Sequence, residues 1–154
     1  MFGLVRTPAP TRPVLTGASA IPVSTATNAY DLLTEIRALI REEPKRYNQF
    51  IWHARVTPLA RIIYHGREST APACGTIGCV AGWVVTLKEG PDVAYPAVPD
   101  RARQILGLSP RQEAELFYRM VPGREGSWRH GLHGRFHIWL FQQQYKAQLK
   151  ATPV

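Results

Sequence analysis

From residue 28 onward the chain alternates between stretches with helical apolar spacing and polar stretches punctuated by proline and glycine. Leu32, Leu33, Ile36, Leu39 and Ile40 recur at intervals of three and four, which puts them on one face of a helix. Asn28 stands at the capping position, Asp31 lies in the first turn near the positive end of the helix dipole, and Pro44 ends the element. Residues 45–56 are aromatic and basic (Tyr47, Phe50, Trp52) and have no clean period. Thr57-Pro58 has the form of an N-cap followed by a first-turn proline, predicting a short helix over 58–65 that stops at Gly66. The β-branched pair Ile62-Ile63 leaves a strand open there. A loop is expected over 66–75, and then a helix over 77–88 capped by Thr76. Cys79, Val80, Trp83, Val84 and Leu87 share one face of that helix, while Gly78, Ala81 and Gly82 form a small second face. A glycine inside a helix costs about 1 kcal/mol relative to alanine, so two of them point to close packing.

Gly90-Pro91 closes this helix and a loop containing Pro96 follows. A short helix is predicted over 99–106, with Gly107 as its left-handed terminator. Ser109-Pro110-Arg111-Gln112 reads as a capping box with proline in the first turn, opening a helix to about residue 120 that buries Ala114, Leu116 and Phe117. Pro122, Gly123, Gly126, Gly131 and Gly134 predict a loop over 121–134. The last helix is expected over 135–150, with Phe136, Ile138, Trp139, Leu140, Phe141, Tyr145 and Leu149 as a broad apolar face. Five or six helices and no convincing strand series make the chain mainly α, a single compact domain over 27–152. Residues 1–26, with Pro8, Pro10, Pro13 and Pro22 and no apolar period, read as a flexible N-terminal arm.

Composition narrows the classes. A chain of 154 residues fits one domain, and 45% hydrophobic residues suffice for a core. The longest apolar run, over 79–85, is too short to span a bilayer, and the first 26 residues hold no continuous apolar segment of the secretory type. No membrane partner and a cytoplasmic location are therefore expected. Two cysteines exclude a disulfide-rich module. The net charge of +8 is concentrated late: residues 111–154 carry seven Lys/Arg against three Glu. Such a basic surface suits nucleic acid or an acidic protein partner.

At Cys74-Gly75-Thr76-Ile77-Gly78-Cys79-Val80-Ala81-Gly82-Trp83 the chain resembles a group of small uncharacterised actinobacterial and phage proteins sharing a C-G-T-x-x-C-x-A-G-W element. Phe50-Ile51-Trp52 upstream, and Ile105-Leu106-Gly107-Leu108-Ser109 followed by Glu115-Leu116-Phe117 downstream, extend the likeness over roughly residues 45–118. The resemblance implies a fold and a bacterial or phage setting, and no reaction.

Several constellations carry candidate chemistry. Cys79 near a helix start is placed to have its thiol activated by unpaired N–H groups, and Cys74 lies in the preceding turn. Either could act as a nucleophile or redox thiol with one of His53, His65, His130, His133 and His137 as base. The competing reading makes Cys79 a core residue in line with Trp83 and Leu87. No metal site is expected; the nearest approach to one is a Cys2His2 set of Cys74, Cys79, His130 and His133, against which Gly131 and Gly134 interrupt the helix. The segments around Gly107 have the form of a helix-turn-helix. There Arg111 and Gln112 would meet base edges and Arg101 and Arg103 phosphates, with Arg119, Arg124, Arg129 and Arg135 extending the footprint. Glu113 and Glu115 argue instead for an ordinary packed helical hairpin. Tyr47, Phe50 and Trp52 among Lys45, Arg46 and Arg55 have the composition of a base-stacking patch, or of core flanked by snorkelling cations. No phosphate-binding loop, dinucleotide fingerprint or hydrolase elbow is present, so no cofactor is expected. The sequence therefore points to a non-enzymatic binding or regulatory module, with a small cysteine-dependent enzyme as the alternative.

Overall fold

The computed structural model describes residues 21, 23–49, 51–55, 61–64, 67–70, 76–90, 93, 95–119 and 127–154. Among them the elements run α1 (Ala29–Glu42), β1 (His53–Arg55), β2 (Arg61–Tyr64), β3 (Arg67–Thr70), β4 (Thr76–Gly78), α2 (Val80–Glu89), α3 (Val98–Leu106), α4 (Pro110–Phe117), α5 (Trp128–Gln144) and α6 (Lys146–Ala151). The protein is mainly helical. Its strands form two antiparallel pairs, β1 with β4 and β2 with β3, in registers His53↔Gly78 and Tyr64↔Arg67.

α1 forms as its periodicity dictates. Asn28 Oδ1 accepts from the Asp31 N–H at 3.0 Å, and Leu32, Leu33, Ile36, Leu39 and Ile40 are buried. The C-terminal end of the chain closes back on this cap: the Ala29 N–H donates to Thr152 O at 2.9 Å and the Val154 N–H to Thr27 O at 3.2 Å. α2 is the core of the fold, with Val80 through Leu87 all buried, packed along α3 and against α1. Gly107 adopts the left-handed conformation, φ 61°, and the reciprocal Ser109–Gln112 capping box opens α4. Both follow from local chemistry that no tertiary contact opposes.

Elsewhere the tertiary structure overrides the local signals. The helix expected over 58–65 is not formed; Arg61–Tyr64 is a strand, paired with Arg67–Thr70 inside what reads as a loop. The β-branched Ile62-Ile63 pair is the signal that prevails there. The helix expected from residue 77 begins at Val80, because Thr76–Gly78 pairs with His53–Arg55 and Cys79, not Thr76, occupies the cap. Ala114 is exposed, whereas Leu116 and Phe117 are buried and α4 ends at Phe117. Of the arm expected over 1–26, residues 1–20 and 22 lie outside the described residues, but order begins before Asn28. The Ser24 N–H donates to Leu87 O at 3.2 Å and Ala26 is buried.

The largest departure is α5. Gly131 and Gly134 sit within a helix that starts at Trp128, its cap being Ser127, whose Oγ accepts from the His130 N–H at 3.2 Å. These glycines are contact points. A Cβ on Gly134 would lie 2.5 Å from the Tyr47 ring, and one on Gly131 would lie 3.0 Å from Pro44 Cβ. α5 can therefore lie directly against the turn Pro44–Arg46 and Tyr47. Tyr145 then breaks the expected 135–150 helix into α5 and α6.

Candidate functional site

Cys79 is fully buried. Its backbone N–H donates to Ile51 O at 2.6 Å, and its Sγ faces Trp52 O at 3.7 Å. Burial pushes the thiol up to about 12, against weaker opposing bonds from the first-turn N–H groups. The helix start thus fails to activate it, because desolvation of a thiolate outweighs the dipole. The nucleophile reading of Cys79 is corrected: it is a core residue. Cys74 lies outside the described residues, as does His65. In a Cys74→Ser variant, native Cys79 is expected to ignore a disulfide reagent at pH 8 and to react once guanidinium unfolds the chain. The sign of its linkage is definite. An unfolded thiol ionises near about 8.5, so between there and about 12 only the unfolded chain has lost the proton. The thiol's contribution to stability is intact below that window and is lost as pH rises through it. Urea midpoints are expected to fall from pH 8 to pH 11, less steeply in Cys79→Ala.

Around Cys79 lies a buried polar cluster. The Tyr47 hydroxyl donates to Gln49 Oε1, and Gln49 Nε2 donates to Phe117 O at 2.7 Å and Arg119 O at 3.2 Å. His130 stacks on Tyr47, ring centroids 4.9 Å apart. The three histidines of α5 do not converge. His130 is buried against Tyr47, and His133 is exposed. His137 Nε2 lies 3.0 Å from Glu115 O, its pKa lowered mainly by burial and further by the Arg119 charge. Among the described residues no three His, Cys, Asp or Glu side chains gather as a metal site would require.

The helix-turn-helix reading meets a closed recognition end. Gln112 is buried; its Nε2 donates to Gln148 Oε1 of α6 at 2.6 Å, and its Oε1 accepts from the Ser109 N–H. It is a structural residue and cannot reach a base edge. Arg101 pairs with Glu89, and Arg103 with Glu113 at 3.3 Å, so both charges are compensated within the fold. Arg111 and Arg119 are exposed, and Arg124 lies outside the described residues. Arg129 is exposed, with its guanidinium 5.5 Å from the Trp128 ring centre.

The unexplained surface is the outer side of α5. Trp128, Leu132, Phe136, Trp139 and Leu140 are between 38% and 64% exposed. At 100° per residue they lie roughly opposite His130, Gly134, Ile138 and Phe141, which face the core. Phe136 and Trp139 stack on each other, centroids 5.7 Å apart. Where this face meets α1 there is a shallow groove of 290 Å³ lined by Arg37, Leu132, Arg135, Phe136 and Trp139. Arg37 Nη1 donates to Gln142 Oε1 at 3.1 Å. Arg37 Nε and Arg135 Nε are closed off from water and have no acceptor among the described residues. A shielded donor left this way costs about 1–3 kcal/mol. Burial lowers the Arg37 pKa, and the charges of Arg135 and Arg41 lower it further. Surfaces that accumulate both exposed aromatics and uncompensated guanidinium groups are contact surfaces more often than idle ones.

Comparison with protein-family models, curated proteins and solved structures finds no match to the chain.

The sequence pointed to Arg129 and Arg135 but not to Arg37, and it grouped Phe136, Trp139 and Leu140 with Ile138 and Phe141 on one broad apolar face. A signal was present. Large apolar residues from Trp128 to Phe141 occupy two opposite faces of one helix, with Ile138 and Phe141 on the second, and a peripheral helix buries only one. Among the described residues no helix is long and apolar enough to cross a membrane.

Proposed function

We propose that the protein is a non-enzymatic binding module, in the bacterial or phage setting implied by its Cys74 to Trp83 element, and that it docks an acidic partner through the outer face of α5. One observation carries this reading: five large apolar side chains stand exposed on a single helix, beside guanidinium groups that no carboxylate among the described residues neutralises. Stability alone would favour polar residues there, since exposed apolar groups bring no burial energy. The cysteine-enzyme alternative loses Cys79, which is sealed in the core with a raised thiol pKa, and would rest on Cys74, which lies outside the described residues.

The double variant Leu132→Gln/Phe136→Gln tests the reading. Exposed substitutions by a good helix former typically stay within about 0.5 kcal/mol each. The melting temperature is expected to hold within a few degrees. The fluorescence of 8-anilinonaphthalene-1-sulfonate, an anionic aromatic probe of apolar surface, is expected to fall severalfold relative to the parent. A melting temperature lowered by more than ten degrees would make the face structural and overturn the proposal, as would unchanged probe binding.

A further inference from the structure

We infer that the occupant of this face is an amphipathic helix of a partner protein that carries carboxylates along one flank, seated with its apolar ridge on Leu132, Phe136 and Trp139 and a carboxylate between Arg37 and Arg135. The inference rests on reading α5 as a docking face and adds the class of partner.

Shape comes first. Trp128, Leu132, Phe136 and Leu140 are successive i+4 positions, with Trp139 beside the last two. The row is about 18 Å long, a little over three helical turns. An i+4 row is the ridge that packs into the groove of a second helix. Leucines alternate with the rings along this row, which suits interdigitating aliphatic side chains better than consecutive stacked bases.

Charge selects among protein partners. Arg135 and Arg41 lie close enough to Arg37 to repel its charge, and the side-chain acceptor that Arg37 engages is a neutral amide oxygen, that of Gln142. The carboxylates of α1 do not help. Glu35 and Glu42 line a different groove, with Val23 and Leu39, where Glu35 accepts from the Thr25 N–H and hydroxyl at 3.1 Å each. A carboxylate entering the α1–α5 groove, which both Arg37 and Arg135 line, would lie against the two guanidinium groups and relieve the repulsion between them. A second copy of this chain is a poor occupant, because a two-fold contact would oppose the same arginines across the interface.

The test uses the full chain and three fluorescein-labelled probes. One is a synthetic helical peptide of about four turns with an i, i+4 leucine ridge and glutamates on its flanks. The second has glutamine for each glutamate, and the third is an oligothymidylate. The glutamate peptide is expected to bind at least about tenfold more tightly than the glutamine peptide. Arg37→Gln/Arg135→Gln is expected to erase that advantage, whereas Arg111→Gln/Arg119→Gln, which removes the same charge elsewhere, leaves it in place. Circular dichroism confirms that each variant is folded, and Phe136→Gln, with both arginines kept, must also weaken the peptide. Equal loss in the two double-arginine variants would reduce the effect to net charge and overturn the inference. Equal binding of the two peptides would also overturn it. Oligothymidylate bound through Arg37 and Phe136, with no peptide bound, would overturn the partner class and leave the docking face standing. Probes that all ignore Arg37 and Phe136 would overturn both.

Discussion

Replacing Trp83 by alanine is expected to cost about 3–5 kcal/mol, the largest effect of any single substitution in the protein. Trp83 stands in the middle of α2 with 1% of its surface exposed, and its indole Nε1–H donates to Arg46 O at 2.8 Å. Truncation opens a cavity in the buried core around α2 and orphans the Arg46 carbonyl at the turn that leads into Tyr47. A domain of this size is stable by about 5–15 kcal/mol in total. The variant is therefore expected to be substantially unfolded at 37 °C, or to melt far below the parent. Trp83→Phe retains much of the packing but not the donor, and should cost less, about 1–3 kcal/mol. Urea denaturation followed by circular dichroism checks both. A Trp83→Ala cost below about 1 kcal/mol would mean that α2 does not organise the core.

Gly134→Ala is expected to destabilise by about 2 kcal/mol, although the same change at an exposed helix position stabilises by about 1 kcal/mol. The reversal of sign comes from Tyr47. A new Cβ would lie 2.5 Å from Cε1 and 2.7 Å from Cζ of that ring. Tyr47 cannot retreat readily: it is fully buried, stacked on His130 and hydrogen-bonded through its hydroxyl to Gln49. The strain should spread to the Gln49 bonds with Phe117 O and Arg119 O, which tie this region to the end of α4. A thermal melt of the variant beside the parent decides the point, and a stabilised Gly134→Ala would show that α5 does not rest on Tyr47.

The same pair of residues shows where reading from the sequence ends. Gly131 and Gly134 look like loop punctuation because glycine's local preferences are all that the sequence displays. Their role depends on Pro44 and Tyr47, about ninety residues earlier, and no local window contains both partners. Cys79 follows the same logic in reverse. Its place near a helix start is a local fact that suggests activation, and its burial under Trp52 and Ile51 is a tertiary fact that cancels it. Gln112 was legible as a capping residue, but its second engagement, with Gln148 of α6, was not.

By itself the sequence determined the mainly helical class, the α1 core face, the Gly107 terminator and the Ser109–Gln112 cap. Each of these depends on interactions between residues three or four apart, whose geometry the backbone fixes wherever a helix forms. Only the tertiary structure decided the two strand pairs, the early start of α5 and which of its two apolar faces is buried. A helix with apolar residues on opposite sides has no preferred inward face until its neighbours are placed. Here the close approach of Tyr47 at Gly134 turns Ile138 and Phe141 inward and leaves Leu132, Phe136 and Trp139 on the surface beside Arg37.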